Sequence, residues 1–529
     1  MTADVVRTVV VLSLAGALPS VAIAGVRPVT LAVAPLSGAA IAALAATCCL
    51  ATAGDLWTWF LALGALGAVA VIAWWALSPG SRPWPGAPGA WSWPQVGGMA
   101  LIAAAVVWSL RGLSGPDVGF DARMLWVLRG AWFVHGHDAA RAVMSNPTYK
   151  FAEPSFPPLL GAASGVGWVV NGMAAGSAAS YRLGQIVIGV LNGCALVALG
   201  AAILQVPNPV TYRAGRSGGA ASRGAASGGA GSLPAIRGGS RRIVHMSAAV
   251  VAALLCLAAA GSAGRYLTNG FADAPWVFAA AFAVVFGLFL PVTPPNLGVA
   301  AIGVAVAGQI KLEGTATAGA IVVLVALRYA MEVPPRRRRR VAAVAGCAGL
   351  VLLAAWPILT TVLHALPDAD TSGPRSGTID QRLHATVHAL AGYLHLVPVA
   401  AAMAIVGALV LRVSRRQLGL GGDLTLWLVM ACNLMVVGGT YVFGTTLIRL
   451  WLGVSADRVV LFAVVMALVD VAVWSMVAMN LLLPGALHGD RAGERPAAGD
   501  PGASAARFAA GGPAPALDGG GPCVLHPPL

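Results

Sequence analysis

A chain of 529 residues that is 58% hydrophobic and 10% charged, with a mean hydropathy of +0.80, is excluded from the soluble globular proteins. Its repeated apolar runs of roughly 20 residues are long enough to cross about 30 Å of hydrocarbon as helices. The net charge of +14 does not mark a nucleic-acid partner, because the arginines gather in short loops between apolar runs, as in cytoplasmic loops that also attract anionic membrane lipids.

Four apolar runs open the chain, at about 8–25, 28–50, 56–78 and 97–110. Each is predicted to be a transmembrane helix, and the first is read as a retained span because another follows almost at once. A polar segment, 111–158, comes next. A short apolar piece at 159–171, directly after Pro157-Pro158, is expected to be a membrane-surface or half-inserted helix. A full run occupies 181–206.

From Tyr212 to Arg242 the chain is rich in Gly, Ser and Ala, with six arginines and no acid, which predicts a flexible basic loop facing the cytoplasm. Further runs lie near 244–261, 273–290, 297–310, 314–331, 341–366, 389–411, 424–448 and 459–483. The Gly- and Pro-rich tail beyond them is expected to be disordered. The seven cysteines show neither a disulfide framework nor metal-ligand spacing.

The arginine run 336–340, the loop bearing Arg412, Arg415 and Arg416, and the 212–242 loop set the orientation when all three are placed in the cytoplasm. The resulting fold class is an all-α integral membrane protein of about thirteen transmembrane helices. Its regions are N-terminal transmembrane helices at 1–110, an outer loop with interfacial helices at 111–180, a helical core at 181–483 that includes the basic loop, and a cytoplasmic tail at 484–529. The N-terminus then lies outside.

With that topology the unusual polar residues at membrane boundaries share one face. They are Asp121 in the first outer loop, Asp273 in GRYLTNGFADAPW, Lys311 and Glu313 in GQIKLEGT, and Arg458 in WLGVSADRVVLF. A single charge at a span end commonly anchors the helix, whereas a set on one face points to a cavity or an interfacial site. Lys311 and Glu313, two apart, point in different directions on a helix and are not expected to neutralise each other. A lipid-linked phosphate is the natural partner for Lys311, and Arg458 with its forked donors is a second phosphate ligand. Arg449 nearby reads as a snorkelling anchor.

In FDARMLWVLRGAWF, Leu125, Trp126, Trp132 and Phe133 share an apolar face interrupted by Arg129. That predicts a helix lying in the membrane interface, its tryptophans forming an aromatic belt. A carboxylate at such a helix start, Asp121, has two chemical uses: accepting the proton of an attacking sugar hydroxyl, or binding a divalent cation such as Mg or Mn that neutralises a departing phosphate. His135 and His137, and His384 and His388, each have one carboxylate nearby, Asp138 and Asp380, but no zinc spacing. No P-loop or dinucleotide fingerprint occurs.

Four pieces in order, FDARMLWVLRGAWF with its downstream FPPLL, GFADAP, KLEG and SADRVVLF, resemble motifs of the bacterial multi-pass GT-C superfamily glycosyltransferases related to the dolichyl-phosphate-mannose protein mannosyltransferases. The resemblance covers roughly Gly119 to Leu483. It implies a polyprenyl-phosphate-linked sugar donor, a cell-envelope glycan, lipid or protein acceptor on the outer face of the bacterial plasma membrane, inversion at the anomeric carbon, and Asp121 as catalytic base. Lys311 and Arg458 would hold the donor phosphate, with Asp273, Glu313 and Glu153 positioning a sugar or a cation. The chain departs from the family pattern in Glu153-Pro154-Ser155-Phe156-Pro157 and at Leu312. The alternative class is a transporter or lipid-linked sugar flippase, which would place its ionisable groups near mid-membrane between repeated halves. A membrane scaffold without catalysis is a third.

Overall fold

The computed structural model describes residues 1–25, 27–77, 93–115, 118–206, 238–332, 335–366, 377–410, 420–444 and 448–489. Met1–Pro484 form one compact unit and Gly485–Leu529 a second, of which only the first few residues are described. The basic stretch 207–237, the loop of Arg412, Arg415 and Arg416, and the tail from 490 lie outside the described residues, as do the side chains of the 336–340 arginines and of Arg449.

All regular structure among the described residues is helical. In chain order the helices are α1 (Thr2–Ala24), α2 (Pro28–Ala51), α3 (Leu56–Leu77), α4 (Trp93–Ser109), α5 (Leu128–Val134), α6 (His137–Met144), α7 (Leu159–Val170), α8 (Ala178–Leu204) and α9 (Gly238–Ala263). There follow α10 (Asp273–Val284), α11 (Pro294–Gly308), α12 (Leu312–Glu332), α13 (Pro335–Val362), α14 (Ile379–Tyr393), α15 (Leu396–Val410), α16 (Leu420–Phe443), α17 (Ile448–Val459) and α18 (Leu461–Gly489).

Ten of the described helices are long and apolar enough to cross a membrane: α1 to α4, α8, α9, α12, α13, α16 and α18. The pair α14 and α15, bent by 65°, makes an eleventh if it is one span. This is the architecture of a multi-pass membrane protein. Three apolar helices are shorter, namely α7, α10 with its π-helical extension to Phe289, and α11. At 1.5 Å per residue the 12 residues of α7 extend about 18 Å. Leu159 to Trp168 are all buried, so α7 is enclosed by protein on every side. Of the two expectations, a helix lying on the membrane surface is corrected, and a half-inserted one agrees with the short length: its small residues let it nest against α5, α2 and α8.

The core is built by close backbone approach. A side chain at Gly38 would strike the Leu12 carbonyl and one at Gly16 the Ala34 carbonyl, so α1 and α2 touch backbone to backbone. Ser20 and Ser37 share a hydrogen bond of 2.7 Å across the same seam. At the centre lies α10, every residue of which is buried. It packs on α11, α8 and α12, and its first residue is Asp273. A second apolar cluster, joining α14, α16 and α17 through Leu390, Val437, Tyr441 and Leu452, supports the end of α17 where Arg458 sits.

Candidate functional site

Each charged residue singled out above stands where a helix begins or ends, which is where a short polar segment interrupts an apolar chain. Asp121 caps a π-helical turn, Ala122–Trp126. Its approach is set by Gly119, whose N–H donates to the Asn269 carbonyl at 3.0 Å. A side chain at Gly119 would collide with Phe271 and with that carbonyl. The Asp121 loop is thereby docked on the segment leading into Asp273.

Glu153 ends a 3₁₀ turn, Pro147–Ala152, with a left-handed backbone at φ 48°, an unfavourable conformation for a residue with a side chain. Arg129, 1% exposed, holds the loop in that shape. Its guanidinium donates to the carbonyls of Glu153 (3.0 Å), Pro154 (3.1 Å), Phe156 and Pro157 (3.2 Å). The Trp356 indole adds a bond to the Ser155 carbonyl at 2.9 Å. Trp126 stacks on Phe156 at 5.5 Å, and Trp132 meets Tyr149 edge-on at 5.9 Å. The expected interfacial belt is therefore corrected: Trp126, Trp132 and Phe133 are buried inside the protein, because burying Arg129 on four carbonyls draws their shared face inward.

Five of the charged groups form an alternating row. Arg458 Nη1 lies 2.6 Å from Asp121 Oδ2 and 3.9 Å from Asp273 Oδ2. Lys311 Nζ lies 2.9 Å from Asp273 Oδ1 and 3.4 Å from Glu313 Oε1. Asp273, its side chain 3% exposed, sits between the two cations, as a buried carboxylate requires. The expectation that Lys311 and Glu313 do not neutralise each other is corrected. Lys311 lies in the break between α11 and α12, one residue before the helix begins, so helical spacing does not govern it. Burial alone would lower the Lys311 ammonium, but the carboxylates of Asp273 and Glu313 outweigh it and hold the group above its ordinary value.

Asp121, Glu153, Asp273, Lys311, Glu313 and Arg458 all line one cavity of about 530 Å³. They come from four separate regions of the chain. The wall also includes groups that the sequence did not single out, among them Arg265, Tyr266, Phe271, Tyr441, Trp451 and Ser455. Tyr266 donates to Asp457 Oδ2 at 2.6 Å, Tyr441 and Ser455 share a hydrogen bond, and the Arg458 guanidinium lies 5.3 Å above the Phe271 ring. Arg265, Tyr266 and Phe271 belong to the same GRYLTNGFADAPW stretch as Asp273, a signal in the sequence. Trp451 and Ser455 likewise belong to the WLGVSADRVVLF stretch of Arg458, whereas Tyr441 had no signal.

The cavity wall carries four carboxylates and three cations. Asp121, Asp273 and Glu313 are each already faced by a cation, and Lys311 and Arg458 stand between them. On Asp121 and Asp273 a divalent cation would stand against the guanidinium of Arg458 and the ammonium of Lys311. Among the described residues no group of three His, Cys, Asp or Glu side chains could hold a metal ion. His135 is exposed and His137 donates through Nδ1 to the Cys49 carbonyl at 2.8 Å. His384 and His388 are also exposed, their ring centroids 6.5 Å apart.

The arrangement supplies a carboxylate beside a guanidinium, a buried ammonium, and aromatic walls around a space large enough for a small ligand. It can therefore receive a proton and bind an anionic oxygen in the same enclosure. Comparison with models of known protein families, with curated proteins and with solved structures gives no match.

Proposed function

We propose that the protein is a membrane glycosyltransferase that moves a sugar from a polyprenyl-phosphate donor to an acceptor hydroxyl on the outer face of the membrane, with inversion. The observation that carries the reading is the gathering of Asp121, Glu153, Asp273, Lys311, Glu313 and Arg458 around one cavity. On this reading the chain crosses the bacterial plasma membrane about thirteen times: ten long helices, the bent pair α14 and α15 as one span, and α10 and α11 as two short ones. The catalytic loop is the outer loop that follows α4.

The chemistry follows from the charge row. The donor phosphodiester carries a negative charge and competes with Asp121 for Arg458 Nη1, so that binding uncovers the Asp121 carboxylate. Asp121 accepts the proton of the acceptor hydroxyl as its oxygen bonds to the anomeric carbon. The bond from that carbon to the phosphate oxygen breaks, and its electron pair stays on the phosphate. Charge on the leaving group grows in the transition state, where fixed cations stabilise it most. Arg458 and Lys311 supply them. Asp273 positions both, and Glu313 and Glu153 face the sugar.

The test is transfer of radiolabelled sugar from a panel of polyprenyl-phosphate sugars by purified protein in membranes, supplied with cell-envelope acceptors, with and without a divalent cation. Transfer by the wild type that Asp121→Asn abolishes in a folded protein supports the reading. Wild-type rates in Asp121→Asn remove the base. No transfer from any donor by folded protein overturns the transferase reading in favour of a transporter.

A further inference from the structure

A second cavity, of about 300 Å³, lies between α2, α11, α12 and α13. It is a groove of three helical stripes: Leu297, Ala301, Val304 and Ala305 along α11, then Val322, Val325 and Tyr329 along α12, and Gly346, Gly349 and Leu353 along α13. From Leu297 to Gln309 it runs for about 18 Å at 1.5 Å per residue, more than half of the hydrocarbon core of about 30 Å. Ala301 and Leu352 in its wall are exposed, so it opens sideways between the helices.

Gln309 gives the groove its chemistry. The residue is 7% exposed. Its side-chain Nε2 donates to the Leu352 carbonyl at 3.3 Å, and its backbone carbonyl accepts from the Leu159 N–H at 2.9 Å. The Nε2 bond fixes the amide, because turning it over would set Oε1 against the Leu352 carbonyl, acceptor against acceptor. Oε1 is buried without a hydrogen-bond partner, a costly state that only a donor relieves. Among the described residues no charged side chain lines the groove, and Tyr329, whose position on α12 puts it at the other end, is the only other described lining residue with a polar side chain. A charged ligand group would be buried there without a counter-ion, while a water would find few of the polar partners it needs.

We propose that this groove binds an uncharged, hydroxyl-bearing membrane lipid, one hydrocarbon chain lying along α11 and the hydroxyl donating to Gln309 Oε1. The inference rests on the groove and Gln309 and goes beyond the transferase reading. Gln309 is nevertheless two residues from Lys311, so such a lipid lies beside the charged cavity.

The test is photolabelling of the full-length protein in lipid nanodiscs with a long-chain fatty alcohol bearing a mid-chain diazirine, in parallel with its methyl ether, and mapping of the adducts by peptide mass spectrometry. Adducts should concentrate on Ala301, Ala305 and Val322, with the ether labelling about fivefold less than the alcohol, the effect of one neutral hydrogen bond. Gln309→Leu should erase the difference between the probes while keeping the labelling, and Ala305→Trp should block both. Equal labelling of the wild type by alcohol and ether overturns the hydroxyl assignment, and labelling spread evenly over outward side chains such as Leu350 and Val351 overturns the groove. No sugar donor is present, so the result is independent of the transfer assay.

Discussion

Arg458 Nη1 and Asp121 Oδ2 meet at 2.6 Å although 337 residues separate them in the chain. The contact joins the end of α17 to the loop before α5, and it binds the proposed base to a proposed phosphate ligand. Asp121→Asn should leave the protein folded, because the Asp121 side chain is 22% exposed and Arg458 retains Asp273. It should lower kcat by about 10²–10⁴, the usual worth of a positioned general base. Circular dichroism and single-turnover transfer separate folding from chemistry.

Arg458→Gln tests the other partner. It removes a charged donor from the leaving group and should lower kcat by about 10²–10³, with the larger effect on kcat than on KM, because the charge it meets grows in the transition state. A change confined to KM would assign Arg458 to ground-state binding alone.

Asp273 holds Lys311 and lies near Arg458 at the head of the fully buried α10. Asp273→Ala should destabilise the protein by about 1–3 kcal/mol, because Lys311 loses its shorter carboxylate contact and keeps only Glu313. Lys311→Met in the same chain should cost less than it does in the wild type, since the pairing with Asp273 is then already gone. Thermal unfolding in detergent of the two single variants and the double variant measures the coupling, and strict additivity would show that the pair does not act as a unit.

Lys311 also sets a pH dependence. Its value in the folded protein is raised above the ordinary 10.5 by Asp273 and Glu313. A group raised on folding contributes stability that is fully present below its unfolded value and is lost as pH rises through the folded one. The stability difference between wild type and Lys311→Met should therefore be constant from about pH 6 to 9 and shrink only above about 10.5. A difference that falls between pH 6 and 9 contradicts the pairing.

Arg129 is the support for Glu153. Arg129→Met should cost about 3 kcal/mol or more, because several buried carbonyls lose their donor at once. It should also free the left-handed turn at Glu153. Limited proteolysis within 153–157 should accelerate in the variant, and an unchanged cleavage rate would show that Trp356 and packing hold the loop without it.

Much of the candidate site was legible in the sequence. In a chain that is 10% charged, an Asp, Lys, Glu or Arg beside an apolar run is expensive and so stands out, and the five residues chosen on that basis line the same cavity, together with Glu153, which the family resemblance had added. The rest of the wall was less legible: Tyr266, Trp451 and Ser455 lie in the quoted stretches without standing out there, and Tyr441 lies outside all of them. The role of Arg129 was hidden as well. Its position on an apolar face read as an interruption, whereas its four carbonyl partners belong to a loop that begins 24 residues later.

The sequence alone determined that the chain is helical and apolar over spans of membrane length, where the polar breaks fall, and which residues are too costly to be there by default. These are properties of composition and period, carried by each segment independently. Only the tertiary structure decided who meets whom: that Lys311 turns to Asp273 and Glu313, that Arg458 reaches Asp121, and that α7, Trp126 and Trp132 are enclosed. Those outcomes depend on helices packing through small residues such as Gly16 and Gly38, and a distance set by packing between remote segments leaves no trace in the local pattern of either.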